Sequence, residues 1–153
     1  MKEMAGTSGG RDTTSATGTT VTYAWRGEFD SAAVEALHAE GFDHKPLAYD
    51  WFGQVTRHSL GWVCAYREAR LIGFVNVAWD GAAHAFILDT VVSADERGHG
   101  VGARLVALAR QHARDAGCEW LHVDFEPELR RFYFDSCGFT AADAGVIRLV
   151  PGT

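Results

Sequence analysis

Residues 82–117, AAHAFILDTVVSADERGHGVGARLVALARQHARDAG, constrain the fold more than any other stretch of the chain. The stretch opens on AHAFILDTVV, an apolar and β-branched run that reads as a buried strand. A short loop leads to Gly98, Gly100 and Gly102 in RGHGVG. The period then changes: Val101, Leu105, Leu108, Ala109, His112 and Ala116 fall on one face at helical spacing, and Gly117 supplies the stop.

Strand, glycine turn and helix N-terminus together form an anion site. Glycine lets main-chain N–H groups approach a ligand, and the first-turn donors of a helix have no partner inside it. A phosphate or pyrophosphate is the natural guest. A phosphate loop ending in Gly-Lys-Ser/Thr is excluded, because that triplet does not occur. A dinucleotide fingerprint can be drawn through Gly98, Gly100 and Ala103, with Asp124 as ribose ligand. The glycines lie too far past the strand for it, however, and the chain after Asp124 is too short for the rest of a doubly wound sheet.

Arg97-Gly98-His99-Gly100-Val101-Gly102 fits a third pattern, Gln/Arg-x-x-Gly-x-Gly/Ala after an apolar strand. Downstream come a short strand over 120–125, the helical run ELRRFYFDSC, and Gly138-Phe139. On these motifs the chain resembles the GNAT superfamily of acyl-coenzyme A-dependent N-acetyltransferases, closely from about Ala82 to Phe139 and by element order alone before that. The resemblance implies an α/β (α+β) three-layer fold, with a mixed central sheet of about six or seven strands and helices on both faces. The fourth and fifth strands, 82–92 and 120–125 here, would splay to admit a pantetheine arm.

The same resemblance implies acetyl-coenzyme A as co-substrate and an amine acceptor, attacking directly in a ternary complex. Main-chain groups of Arg97, Gly98, His99, Gly100, Val101 and Gly102 would cradle the pyrophosphate, with Arg97 and Arg104 as cationic candidates. Val91 and Val92 would hold the pantetheine, and a main-chain amide of that strand would polarise the thioester. Many members place a tyrosine four residues before Gly-Phe, near the coenzyme sulfur. Here that position is Phe134, and Tyr133 is one residue earlier, about 100° away on an α-helix. Tyr133 is the candidate acid. Some members use a glutamate on the strand as base; none occurs in 82–92, where His84 and Asp89 are the titratable residues and lie on opposite faces. His has the better intrinsic pKa for taking a proton from an amine, and Asp89 could bind a cationic acceptor. His122, Asp124 and Glu126 form a second acid–base group. The missing tyrosine and glutamate keep an alternative open, a non-catalytic acyl-coenzyme A-binding sensor or partner module.

At 153 residues and 16.7 kDa the length suits one domain. A net charge of -6 argues against nucleic acid and anionic membranes as partners. Cys64, Cys118 and Cys137 show no metal or disulfide spacing, which suits reduced thiols, and no run approaches the ~20 apolar residues of a membrane span. A cytoplasmic protein with no metal is expected, and the resemblance adds a homodimer.

Residues 1–20, rich in Gly, Ser and Thr, read as a flexible tail, followed by a single acyltransferase domain over 21–153. In order, that domain should hold a strand over 21–25, a helix from Asp30 or Ser31 to Glu40 ended by Gly41, and helical spacing from Pro46 to His58. An antiparallel meander follows over 61–67, 71–79 and 82–92, then helix 101–116, strand 120–125, helix 128–137 and a last strand near 146–150.

Overall fold

The computed structural model describes residues 12–15 and 20–152. The chain divides into two compact units, residues 1–123 and 124–153, taken here in turn.

The first unit is a six-stranded sheet whose spatial order is its order in sequence. β1 (Asp12–Ser15), β2 (Thr20–Trp25), β3 (Ser59–Arg67), β4 (Arg70–Trp79) and β5 (His84–Val92) pair antiparallel, and β6 (Trp120–His122) joins β5 in parallel. The expected meander and the switch to a parallel pair across a helical crossover are both present. A helix is needed there because parallel neighbours cannot be joined by a tight turn.

β4 shows why the sheet has helices on both faces. Ile72 to Val77 are all buried, as in a strand covered on two sides. Phe74 packs into a cluster with Val34, Leu37, Trp51 and Val55, which come from α1 (Ser31–Phe42) and α2 (Trp51–His58). Its neighbour Gly73 points the other way, as strand alternation requires. A Cβ there would stand 3.0 Å from Leu105 and 3.3 Å from Val101 of α3 (Val101–Asp115), so glycine lets that helix seat closely.

α1 begins as expected, with Asp30 capping the Ala32 amide at 2.9 Å, but it runs through Gly41 to Phe42. Gly41 is not a stop. A Cβ at that position would meet Val91 Cγ1 at 3.1 Å, so the missing side chain brings α1 onto β5. α2 starts at Trp51, where Asp50 caps Gly53, rather than at Pro46; residues 43–50 are irregular and exposed.

Residues 1–11 and 16–19 of the expected tail lie outside the described residues. Within the same stretch Asp12–Ser15 forms β1, its ladder to β2 supplying the main-chain pairing that composition does not reveal.

The second unit carries a 3-10 turn (Pro127–Leu129) and a π-helical turn (Phe132–Ser136) where one regular helix was expected. The predicted strand 146–150 does not form: Val146, Ile147, Leu149 and Val150 are exposed. Strand propensity needs a neighbouring backbone to pair with, and this run has none among the described residues.

Candidate functional site

The glycine loop is delivered by a braced turn. After Val92 the chain makes a 3-10 turn (Ala94–Glu96), pinned by Ser93 N–H to the Ile72 carbonyl at 2.8 Å. Buried Glu96 accepts from Arg67 Nε at 2.7 Å and from its second nitrogen at 2.9 Å, while Arg70 binds Asp95 at 2.9 Å. The Arg67 hydrogen bonds hold the Glu96 carboxyl below its ordinary range, against the opposing push of burial. Glu40 of α1 accepts the Ala94 amide at 2.6 Å.

Beyond this brace the chain opens. Gly98 and Gly100 have φ of 80° and 84°, and a Cβ built on either meets nothing within 4 Å. Backbone conformation rather than crowding asks for glycine here. Gly100 is the N-cap of α3 and offers no side-chain cap; the first turn closes with Arg104 N–H on the Gly100 carbonyl at 3.1 Å. The amides of 101–103 therefore have no partner within the helix, and the helix dipole adds positive potential beside them. These groups suit a pyrophosphate. Arg97 folds back, with Nε on the Val92 carbonyl at 3.1 Å and a terminal nitrogen 3.8 Å from Glu40. Arg104 is half-buried, and its charge acts on Tyr23.

Leading to this loop, β5 pairs with β6 only over His84, Ala85 and Phe86. From Ile87 to Val92 no strand of the described residues pairs with β5 on that side. This is the splay expected of the two strands. Near its middle β5 bulges: Phe74 faces Val91, yet Asn76 faces Leu88, and Asp89 takes up the extra residue at φ 57°. A bulge turns main-chain groups out of the ladder. An amide-rich pantetheine arm could bind this open backbone, Val91 and Val92 included.

The titratable candidates separate. His84 Nδ1 lies 2.7 Å from His122 Nε2, and His122 stacks on Phe86, at the closed end of the gap. Asp89 stands apart at the bulge. One carboxylate oxygen is 3.2 Å from His38 Nε2 of α1, the other 3.4 Å from Asn76 Nδ2. His38 Nδ1 in turn meets His44 Nε2 at 2.7 Å. Neither His38 nor His44 was singled out from the sequence. The available signal was Gly41, a glycine kept inside a helix one turn after His38.

In the second unit Tyr133 is buried, stacked on Phe125 at 4.7 Å and edge-on to Phe132 and Phe139. The π-helical turn bonds Cys137 N–H to the Phe132 carbonyl at 3.0 Å, five residues back. Such a turn absorbs one extra residue. The turn lies between Tyr133 and Gly138, and Phe134 is less buried than Tyr133. Burial pushes the Cys137 thiol up to about 11 and Cys64 to about 12, so neither is a thiolate near neutrality. No group of metal-binding side chains is found among the described residues, and no helix there is long and apolar enough to cross a membrane.

Comparison with known proteins speaks for the family and the fold. A family model described as "Acetyltransferase (GNAT) family" matches residues 22–139. The chain is similar to a probable glucosamine 6-phosphate N-acetyltransferase 2 of Oryza sativa subsp. japonica, 41% identical over 109 residues, which are 71% of this chain and 61% of the rice protein. The chain thus spans under two thirds of that relative's length. Among solved structures, the glucosamine-6-phosphate N-acetyltransferase of Arabidopsis thaliana superposes with a TM-score of 0.70 at 17% identity, covering 85% of this chain and 99% of that one. A probable acetyltransferase of unknown function from meticillin-resistant Staphylococcus aureus gives 0.70 at 18% identity, covering 86% and 99%. At these identities the structures speak for the fold alone.

Proposed function

Because the chain belongs to the acetyltransferase (GNAT) family, we propose that it moves the acetyl group of acetyl-coenzyme A to an amine by direct attack in a ternary complex. One observation carries this reading most strongly. The glycine loop opens at the N-terminus of α3 where the β5 edge loses its partner, so a diphosphate and an extended amide arm each have main-chain groups to bind. Acetyl-coenzyme A supplies an activated thioester; the chain has to hold it, polarise its carbonyl and manage protons.

Within that reading the amides of 98–102 grip the pyrophosphate, and Val91 and Val92 align the pantetheine. Arg97 and Arg104 are the cationic candidates for the phosphates, Arg97 being the one that also reaches Val92 and Glu40. A main-chain N–H at the Asp89 bulge polarises the thioester oxygen. Tyr133 protonates the departing thiolate, its place on the π-helical turn offsetting the shifted spacing. Asp89 receives the acceptor's charge, and His84 with His122 lines the closed end of the gap. Residues 21–153 act as one acyltransferase domain, a reading supported by the family match from 22 to 139. A cytoplasmic homodimer belongs to the same reading.

The acceptor of first choice is an amino-sugar phosphate, on the strength of the rice relative's name. The test incubates the chain with acetyl-coenzyme A and a panel containing glucosamine 6-phosphate, simple primary amines and peptides with free α- and ε-amines. Mass spectrometry should find one acetylated class. Thermal protection by coenzyme A with no product on any amine would establish a binding module in its place. Tyr133→Phe should lower kcat by about 100-fold with little change in KM for acetyl-coenzyme A; an unchanged kcat would remove the phenol from the reaction.

A further inference from the structure

The contacts of His38, His44 and Asp89 call for more ring hydrogens than two neutral imidazoles carry. Asp89 as a carboxylate only accepts, so the 3.2 Å contact needs a hydrogen on His38 Nε2. The Lys45 carbonyl also only accepts, so its 2.9 Å contact needs a hydrogen on His44 Nδ1. Between the rings, His38 Nδ1 and His44 Nε2 lie 2.7 Å apart, and one more hydrogen must sit there. That makes three hydrogens on four nitrogens, against two for a pair of neutral rings. All three contacts are met at once only when the pair carries one extra proton.

The surroundings match that charge. From β5 comes Asp89, steadied by Asn76 of β4. Glu35 of α1 is buried 3.9 Å from His44 Nδ1, and its carboxyl is held below the ordinary range first by the Trp51 indole N–H at 2.7 Å and further by the Leu47 amide. Phe42 stacks on His38 at 4.4 Å and Trp51 of α2 lies 5.0 Å away, fixing the ring with no further charge. Two carboxylates therefore flank the pair of rings. His38 is largely covered, with 19% of its side chain accessible, whereas His44 reaches solvent at 34%. The cluster runs from Asp89 at the β5 bulge, 23% accessible, through the more covered His38 to His44 at the surface.

We propose that His38 and His44, entered through Asp89, form a proton relay that takes the ammonium proton of the acceptor from the β5 bulge to solvent. The proposal rests on the acetyltransferase reading. In the receptive state the pair holds two hydrogens, His38 Nδ1–H on His44 and His44 Nδ1–H on Lys45, and His38 Nε2 presents a lone pair to Asp89. The acceptor ammonium gives its proton to the Asp89 carboxylate and keeps the electron pair of the N–H bond for attack on the thioester. The proton crosses to Nε2, which restores the carboxylate and yields the three-hydrogen pair. His44 then loses its Nδ1 hydrogen to water as the hydrogen between the rings passes to His44 Nε2, and both rings turn over to their starting tautomers before the next cycle.

The full-length chain labelled with 15N in its histidine rings tests the relay. Over about pH 5 to 9, which brackets the ordinary imidazole range, His38 and His44 should shift together in one step that takes up one proton per pair. In His44→Gln the His38 step should move and lose this coupling. Two rings that titrate independently, or not at all, would overturn the shared proton. In parallel, acetyl transfer to glucosamine 6-phosphate is followed against pH. His38→Gln should lower kcat about 100-fold and shift the acid limb, leave KM for acetyl-coenzyme A near its original value, and regain part of the rate with added imidazole. Transfer at the original rate and profile in His38→Gln would overturn the relay while the transferase reading stood. Coupled titration in a wild-type chain that acetylates no amine of the panel would end the transferase reading, and the relay's role with it, while the shared proton stood.

Discussion

Glu96 shows how much one residue does for the loop that follows it. It is buried, bound twice by Arg67, and lies immediately before the glycine-rich turn. Removing Arg67 leaves the buried carboxylate with only the half-exposed Arg70, 3.4 Å away, so Arg67→Met should cost about 2 kcal/mol in urea unfolding. The pH dependence has a definite sign. Hydrogen bonds from Arg67 lower the folded carboxyl below its ordinary 4.5, so the stability they contribute is complete above that value and is lost as pH falls through the lower folded one. The gap between wild type and Arg67→Met should be full at neutrality and narrow below about pH 4. A gap independent of pH would assign the loss to packing of the arginine stem. Tyr133 teaches the complementary lesson. Its distance from Gly138 is plain in the sequence, but the count assumed α-helical turns, and only the π-helical turn shows which aromatic ring is buried.

At the scale of elements, the strand, glycine turn and helix over 84–115 were legible because three independent signals coincide: a change of hydrophobic period, glycines at fixed offsets, and an amphipathic stripe. Gly100→Val tests this element. Its φ of 84° sits in the left-handed region, where a β-branched residue costs about 1–2 kcal/mol, while open space around the Cβ means no collision. The variant should fold, lose modest stability and fail to bind coenzyme A in calorimetry. Unchanged affinity would remove the loop from the donor site. The pairing of α1 with β5 was not legible, since it joins residues 38 and 89 across a close approach that depends on Gly41 and Val91. Strand 146–150 failed for the converse reason: its residues favour extended backbone, and a strand is completed by a partner that local sequence does not name.

For the molecule as a whole, the sheet order β1 to β6 follows the chain, and the two junctions of the β3–β4–β5 meander could be read from turn lengths. What could not be read is how briefly β6 joins, over three residues, with the rest of β5 unpaired on that flank among the described residues. Backbone donors and acceptors left in a row attract any extended chain, and most proteins cover or charge such an edge. Here the proposed occupant is the donor substrate. A preparation stripped of coenzyme A should therefore scatter more light on warming than one saturated with it, by more than the rise in melting temperature explains; equal scattering at matched distance from each melting point would show that the flank is harmless. On the proposed reading the chain would turn adhesive whenever its acyl donor ran short, and its shelf life would follow the donor's supply as well as the temperature.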